Sequence, residues 1–203
     1  MKIAVIGATG TIGRKVCERL KTDHDVIQVG YKSGDYHVDI ADKASITHLF
    51  EQLGNVDAII CTTGLSAFAP LQELTDEQFE LSFNNKVMGQ INILRIGQHH
   101  LRTGGVIVLT TGVLADHPIP GSAATSAANG AVNAFVKAAA LELKDKLRIN
   151  AVSPAFITES LQAMGVDSSQ GVSAADTATV YEKVVTGSLS GQIIDVRNAL
   201  SQE

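Results

Sequence analysis

The chain has 203 residues, 45% of them hydrophobic and 18% charged, with a net charge of −5, no tryptophan and only 4% aromatics. That balance suits one domain over residues 1–203 with an aliphatic core, and an acidic charge without a basic run argues against nucleic acid or an anionic membrane surface as a partner. No apolar stretch nears the roughly 18 to 20 residues that span a bilayer, and neither Cys17, Cys61 nor the histidines show ligand spacing, so the expectation is a cytoplasmic protein with reduced thiols and no metal site.

Taken in chain order, Ile3 to Ile6 reads as a strand that runs straight into glycines. Gly7, Gly10 and Gly13 form a turn that opens a helix near Thr11. Placed between a first strand and a first helix, such a turn lets backbone approach a pyrophosphate whose charge the helix N-terminus meets. Thr9, Gly10, Thr11, Ile12 and Gly13 are the candidate contacts, with Arg14 just beyond. Asp25 to Val29 is the second strand, and it ends in Gly30-Tyr31-Lys32-Ser33. An acid there would accept bonds from a ribose 2′-hydroxyl; instead Lys32, Ser33 and Arg14 suit a 2′-phosphate, so NADP(H) is expected over NAD(H). The alternative is that Lys32 and Arg14 are ordinary solvated charges.

A brief strand follows near Tyr36 to Val38, and Asp57 to Cys61 is the next. A Thr75 and Gln78 capping box opens a long helical pattern over Asp76 to Leu101. Val106 to Leu109 reads as a strand, Ser122 to Lys144 as an alanine-rich helix, and Arg148 to Val152 and Gln192 to Val196 as the last strands. Glu159 to Val172 carries turn residues and little periodicity, and is either a mobile flap beside the site or an idle loop. This alternation specifies an α/β fold: a Rossmann-type doubly wound parallel sheet of about seven strands with helices on both faces.

In order, these motifs resemble those of the short-chain dehydrogenase/reductase superfamily, and the likeness covers nearly the whole chain. Gly7, Gly10 and Gly13 are similar to its dinucleotide turn, in the spacing of its extended and atypical branches. Val38-Asp39-Ile40 resembles the segment whose Asp contacts adenine, and Cys61-Thr62-Thr63-Gly64 stands where many members carry NNAG. Asn150 to Ala155 resembles the N-x-V-x-P-G stretch near the nicotinamide, with Ala155 replacing the glycine. The resemblance implies Asp39, Ile40, Thr63, Gly64 and Pro154 as further cofactor contacts. It also implies a small-molecule carbonyl or alcohol substrate and a homodimer or homotetramer built on the two long helices.

Catalysis in that family uses a Tyr and a Lys four residues apart on one helix, the phenol protonating a carbonyl as hydride arrives. Here the resemblance puts Thr125 at the Tyr position and Asn129 at the Lys position, while Lys86 stands upstream where the family has Asn. The exchange of Lys and Asn is similar to that in ketoreductase domains of modular polyketide synthases. Thr111 corresponds to the serine that orients the carbonyl, with Thr110 or Gly112 as alternatives. An aliphatic alcohol cannot replace a phenol as acid, which leaves Lys86, directly or through water, and His117 as candidate proton donors, with His117 read in preference as a solvated loop residue. Thr125 and Asn129 are equally readable as packing residues of an ordinary helix. Two functions follow: an atypical NADP(H)-dependent oxidoreductase with Lys86, Thr111, Thr125 and Asn129 in its site, or an NADP(H)-binding sensor with weak or no turnover. A fold kept for a structural role ranks third.

Overall fold

A computed structural model describes residues 1–201 of the chain. Seven strands form one sheet in the order β3-β2-β1-β4-β5-β6-β7. They are β1 (Lys2–Ile6), β2 (Asp25–Gly30), β3 (Tyr36–His37), β4 (Val56–Cys61), β5 (Leu101–Thr110), β6 (Arg148–Ser153) and β7 (Ile193–Asp195), and every pairing is parallel. β-branched runs such as Val-Asp-Ala-Ile-Ile-Cys in β4 are buried on both faces, as a sheet sandwiched between helices requires.

The helices are α1 (Thr11–Leu20), α2 (Lys43–Leu53), α3 (Asp76–Ser82), α4 (Gly89–Gly97), α5 (Ala123–Glu142), α6 (Thr158–Ala163), α7 (Ala174–Thr186) and α8 (Val196–Ser201). One core joins the sheet to α2, α4 and α5 through residues such as Phe50, Ile93, Val132 and Ile149. The other joins the opposite face to α1, α7 and α8 through Val16, Leu20, Tyr181 and Val196. The sequence order reverses direction between β1 and β4, which opens a crevice at the carboxyl ends of those strands.

Two expectations are corrected. The strand read as Val106 to Leu109 begins at Leu101, which pairs with Val56 before a shift of register restores Ala58 to Val106. The single long helix expected over Asp76 to Leu101 is instead α3, a π-helical turn at Phe83–Met88, and α4. A π turn inserts a residue into the helical repeat and resets which side chains face inward. Its opening is as expected, with Thr75 accepting from the Gln78 amide and Gln78 accepting from the Thr75 amide. Within the stretch Glu159 to Val172, α6 forms, and Ile157 bridges Val172 at its base.

Candidate active site

The crevice has two connected hollows that share Thr63. The first, of about 400 Å³, lies over the ends of β1 and β2 and is lined by Gly7, Gly30, Val38, Asp39, Ile40 and Asn85 among others. The expected adenine contacts Asp39 and Ile40 are therefore beside the glycine turn. Asp39 is held by its own loop, its carboxylate accepting from the Ala41 amide at 2.9 Å.

Gly13 sits so close beneath the turn that a Cβ there would strike the Gly7 carbonyl and meet Thr62 Oγ1 at 2.7 Å. A glycine at 13 lets α1 start directly against the turn, with Gly10 as its N-cap and no side chain closing the amides at that end. Thr9, Gly10, Thr11 and Arg14 are exposed around that terminus, and Arg14 folds back to donate to the Thr9 carbonyl at 3.2 Å. Lys32 and Ser33 are exposed on the loop after β2. The one acid of that loop, Asp35, accepts from the Gln28 amide at 2.8 Å. Its carboxylate is thus tied to β2, and among the described residues Lys32 forms no ion pair.

The second hollow, of about 270 Å³, lies over the ends of β4, β5 and β6. It gathers Lys86, Thr111, Thr125 and Asn129, four residues from three segments of the chain, together with Ile12, Thr63, Gly64 and Pro154. Val113, Leu114, Phe156 and Ile157 make an apolar wall. Among the described residues, Lys86 is the only charged one in the lining. It is 8% exposed, and Nζ donates to the Thr111 carbonyl at 3.4 Å. Gly64 makes its passage possible: a Cβ there would stand 2.9 Å from Lys86 Cγ. Burial lowers the Lys86 pKa from 10.5 to about 8, an effect that nearby Cys61 opposes. Burial in turn pushes the Cys61 thiol up to about 11, so it is neutral near pH 7.

The hydroxyls differ in how far they are committed. Thr110 donates to the Cys61 carbonyl at 2.6 Å and so accepts from the buried Tyr181 phenol. Its backbone is clamped by Gln90, which accepts from the Thr110 amide at 2.8 Å and donates to its carbonyl at 2.7 Å. Thr111 Oγ1 reaches only the Val152 carbonyl, at 3.5 Å, and stays available to the hollow. Of the alternatives weighed for the orienting hydroxyl, Thr111 is thus the free one. Thr125 Oγ1 donates to the Ala67 carbonyl at 2.8 Å and accepts from Ser66 at 2.9 Å, so its proton is engaged by the loop after β4. Asn129 is 2% exposed, and its amide oxygen has no partner among the described residues. His117 is exposed and outside the lining, near Asp195. Sequence reasoning missed Gln90 and the Tyr181 to Thr110 bond, which join residues 20 and 71 positions apart without any local signal.

A doubly wound sheet with a glycine turn at its switch point and polar side chains over β4 to β6 is the architecture of a dinucleotide-dependent α/β enzyme. A family model described as enoyl-(acyl carrier protein) reductase matches residues 5–194. The chain belongs to the short-chain dehydrogenase/reductase superfamily, whose members are oxidoreductases of carbonyl and alcohol groups. The solved structure of the protein lin1944 from Listeria innocua is 42% identical, with a TM-score of 0.92, and covers 97% of this chain and 99% of that one. A small-chain dehydrogenase solved in complex with NADPH is 26% identical, with a TM-score of 0.84, over 95% and 94% of the two chains. An uncharacterized oxidoreductase of Methylorubrum extorquens is 29% identical over 195 residues, 83% of this chain and 79% of its own. Versicolorin reductase 1 of Dothistroma septosporum is 29% identical over 156 residues, 74% of this chain but 59% of its own length.

Proposed function

We propose that the protein is an atypical NADP(H)-dependent oxidoreductase that reduces a small carbonyl compound, or oxidises the corresponding alcohol, with Lys86 as the acid. The observation that carries the reading is Lys86 itself, a lone buried cation at the head of an otherwise uncharged hollow with its pKa lowered to about 8. The residues fit the cofactor: the close backbone packing at Gly13 leaves room for a pyrophosphate, Asp39 and Ile40 flank the adenine hollow, and exposed Lys32 and Ser33, with the N–H groups of Arg14 that Thr9 does not take, suit a 2′-phosphate. The NADPH held by the solved small-chain dehydrogenase supports the same preference here.

Bound NADPH supplies the hydride. Thr111 donates a hydrogen bond to the carbonyl oxygen, keeping its own proton, and fixes the oxygen's direction. Lys86 then gives a proton to that oxygen as negative charge grows on it, a task suited to a group titrating near the working pH. Asn129 presents its unpartnered amide oxygen to a water beside Lys86. Thr125, with its proton engaged, holds the loop after β4 against α5 rather than acting as an acid.

Assembly as a homodimer or homotetramer fits α5, which leaves Ala123, Ala127, Ala134 and Ala138 exposed along one side with Leu141 75% exposed at the end. Light scattering giving a monomer mass would refute it. Two buried free thiols suit a reducing, cytoplasmic compartment.

The reading is tested by NADPH oxidation with trans-decalone, a rigid bicyclic ketone, and then with a panel of small aldehydes and ketones. Turnover is expected, and Lys86→Ala is expected to lower kcat by about 10² to 10⁴, the range of a positioned acid. Turnover unchanged in Lys86→Ala would remove the mechanism. NADPH binding with no turnover would favour the sensor, the reading that the engaged Thr125 hydroxyl supports.

A further inference from the structure

Lys86 is a nucleophile as well as a cation, and no acid in its hollow answers it. Among the described residues the lining holds no carboxylate and Lys86 forms no ion pair. Its one bond, of 3.4 Å from Nζ to the Thr111 carbonyl, is one that a neutral amine also donates. A carboxylate partner would keep the nitrogen lone pair protonated. An unpaired lysine in a desolvated pocket offers it instead, the condition under which lysines form Schiff bases with carbonyl compounds.

The surroundings suit that chemistry. Thr111 Oγ1, held only by a 3.5 Å contact with the Val152 carbonyl, lines the same hollow. Its hydroxyl can bond the oxygen that must leave when an amine condenses with a carbonyl. The other nucleophile nearby does not compete. Cys61 of β4 is fully buried, rests its thiol on the Thr63 carbonyl at 3.6 Å, and is held protonated by burial. Among the described residues it is the titratable side chain that acts on Lys86, and the lining holds no other besides Lys86 itself. Val113, Leu114, Phe156 and Ile157 give the hollow an apolar side, with no second cation to hold a carboxylate and no acid to hold an amine. At about 270 Å³, what it admits beside Lys86 is small and neutral.

We infer that Lys86 is a covalent capture site for small neutral aldehydes, which it binds as a reversible imine with their apolar group against Val113, Leu114, Phe156 and Ile157. The lone pair of the Lys86 amine attacks the aldehyde carbon, and one proton passes from nitrogen to oxygen to give a carbinolamine. Thr111 donates a hydrogen bond to the new hydroxyl. That hydroxyl takes a proton from solvent and leaves as water, and the iminium left behind returns a proton to solvent as it becomes the imine. Addition of water reverses every step. Aldehydes are favoured over ketones because their carbonyl carbon carries a single substituent and leaves the amine more room. No oxidant, reductant or cofactor takes part, so capture is independent of hydride transfer and of whether Lys86 serves as its acid. While the imine stands, Lys86 has no proton to give, and aldehydes of this class therefore limit any turnover that uses it.

The experiment incubates the full-length protein, without cofactor, with benzaldehyde at pH 8 and fixes the imine with sodium cyanoborohydride, which turns it into a benzyl amine that survives digestion. Peptide mass mapping then reads the adduct at each lysine. With its pKa lowered to about 8, Lys86 is half neutral at that pH, against less than about 1% for an ordinary lysine near 10.4. Part of that advantage is lost because a less basic amine is a weaker nucleophile and the hollow restricts entry. Labelling at Lys86 is therefore expected to exceed that at exposed Lys21 and Lys32 by about tenfold or more. Equal labelling would overturn the inference, and so would a preference for Lys86 that persists in concentrated urea, where the hollow is gone. The same treatment with 4-carboxybenzaldehyde is expected to label Lys86 about tenfold less than benzaldehyde does, because its carboxylate meets the apolar side unpaired. Equal labelling by the two aldehydes would overturn the class of ligand. Lys86→Met should lose the one adduct and keep the rest of the map, and the wild-type map decides the question if that variant does not fold. Turnover of carbonyl compounds with no adduct at Lys86 would leave the proposed activity standing and overturn the capture; an adduct without turnover would do the reverse.

Discussion

At the end that holds the glycine turn the crevice is shaped mostly by backbone, by the carbonyl of Gly7, the bare Cα of Gly13 and the amides that open α1. Over β4 to β6 it is made of side chains, Lys86, Thr111 and Asn129, each brought from a different segment. The two ends tolerate change differently. A backbone cradle fails if one glycine gains a side chain, because nothing else can make the turn. A cluster of side chains can exchange a Lys for an Asn and lose a phenol while the hollow persists. One end therefore states its ligand more firmly than the other states its chemistry.

The comparison is broken most severely at the first end. Gly13→Val pushes carbon atoms into the Gly7 carbonyl and Thr62 Oγ1, and overpacking of that kind costs about 1 to 3 kcal/mol. With the turn displaced, NADPH affinity measured by calorimetry is expected to fall about 100-fold or more, equivalent to about 3 kcal/mol. Retained affinity would place the pyrophosphate elsewhere.

At the other end, Lys86→Met is expected to stabilise the fold. The folded pKa of about 8 lies below the ordinary 10.5, so below pH 8 the folded protein carries a buried ammonium at full cost. Between those two values the unfolded chain holds the proton and the folded one does not, so wild-type stability rises with pH across the window. Removing the group at pH 7 is expected to gain about 3 kcal/mol, from about 1.4 kcal/mol per pKa unit, and to flatten that rise. Denaturant melts at pH 7 and pH 10 check both; a variant less stable than wild type at pH 7 would mean that Lys86 is paired rather than stranded.

Much of this was legible in the chain. All seven strands and the glycine turn could be read because periodicity and turn chemistry are local, and so could the capping box at Thr75. The gathering of Lys86, Thr111, Thr125 and Asn129 was legible only through family likeness, since nothing local ties residue 86 to residue 129. The π turn at Phe83–Met88 was not legible, because its residues suit an α-helix and the extra residue is imposed by packing. Nor was the fate of the Thr125 proton, which depends on a loop some 58 positions away.

A smaller effect sharpens the cofactor end. Lys32 is exposed and its ammonium lies 5.9 Å from the centre of the Tyr31 ring, a weak restraint that leaves it free to turn to a phosphate. Lys32→Ala is expected to weaken NADPH binding about tenfold and NADH binding hardly at all, the share of one charge-assisted bond worth about 1.5 kcal/mol. Equal losses for the two cofactors would make Lys32 a plain surface charge.

The smallest effect belongs to the residue that stands where a phenol was expected. Thr125→Val removes the donor to Ala67 and the acceptor for Ser66 at once, so the loop after β4 loses its tie to α5. The hydroxyl is partly buried, and its loss is expected to cost about 1 kcal/mol of stability, the net worth of an ordinary hydrogen bond. Because the Thr125 proton already serves Ala67, none is available to a substrate, and turnover should stay within about threefold of wild type. A fall of about 10² or more, the mark of a lost acid, would return Thr125 to the chemistry. Thr125→Tyr would not restore a phenol in place, since the Ala67 carbonyl stands 2.8 Å from the Thr125 oxygen and the loop would have to move aside first. The loop thus engages the hydroxyl at the position where a phenol was expected, in keeping with the proposal that Lys86 supplies the proton.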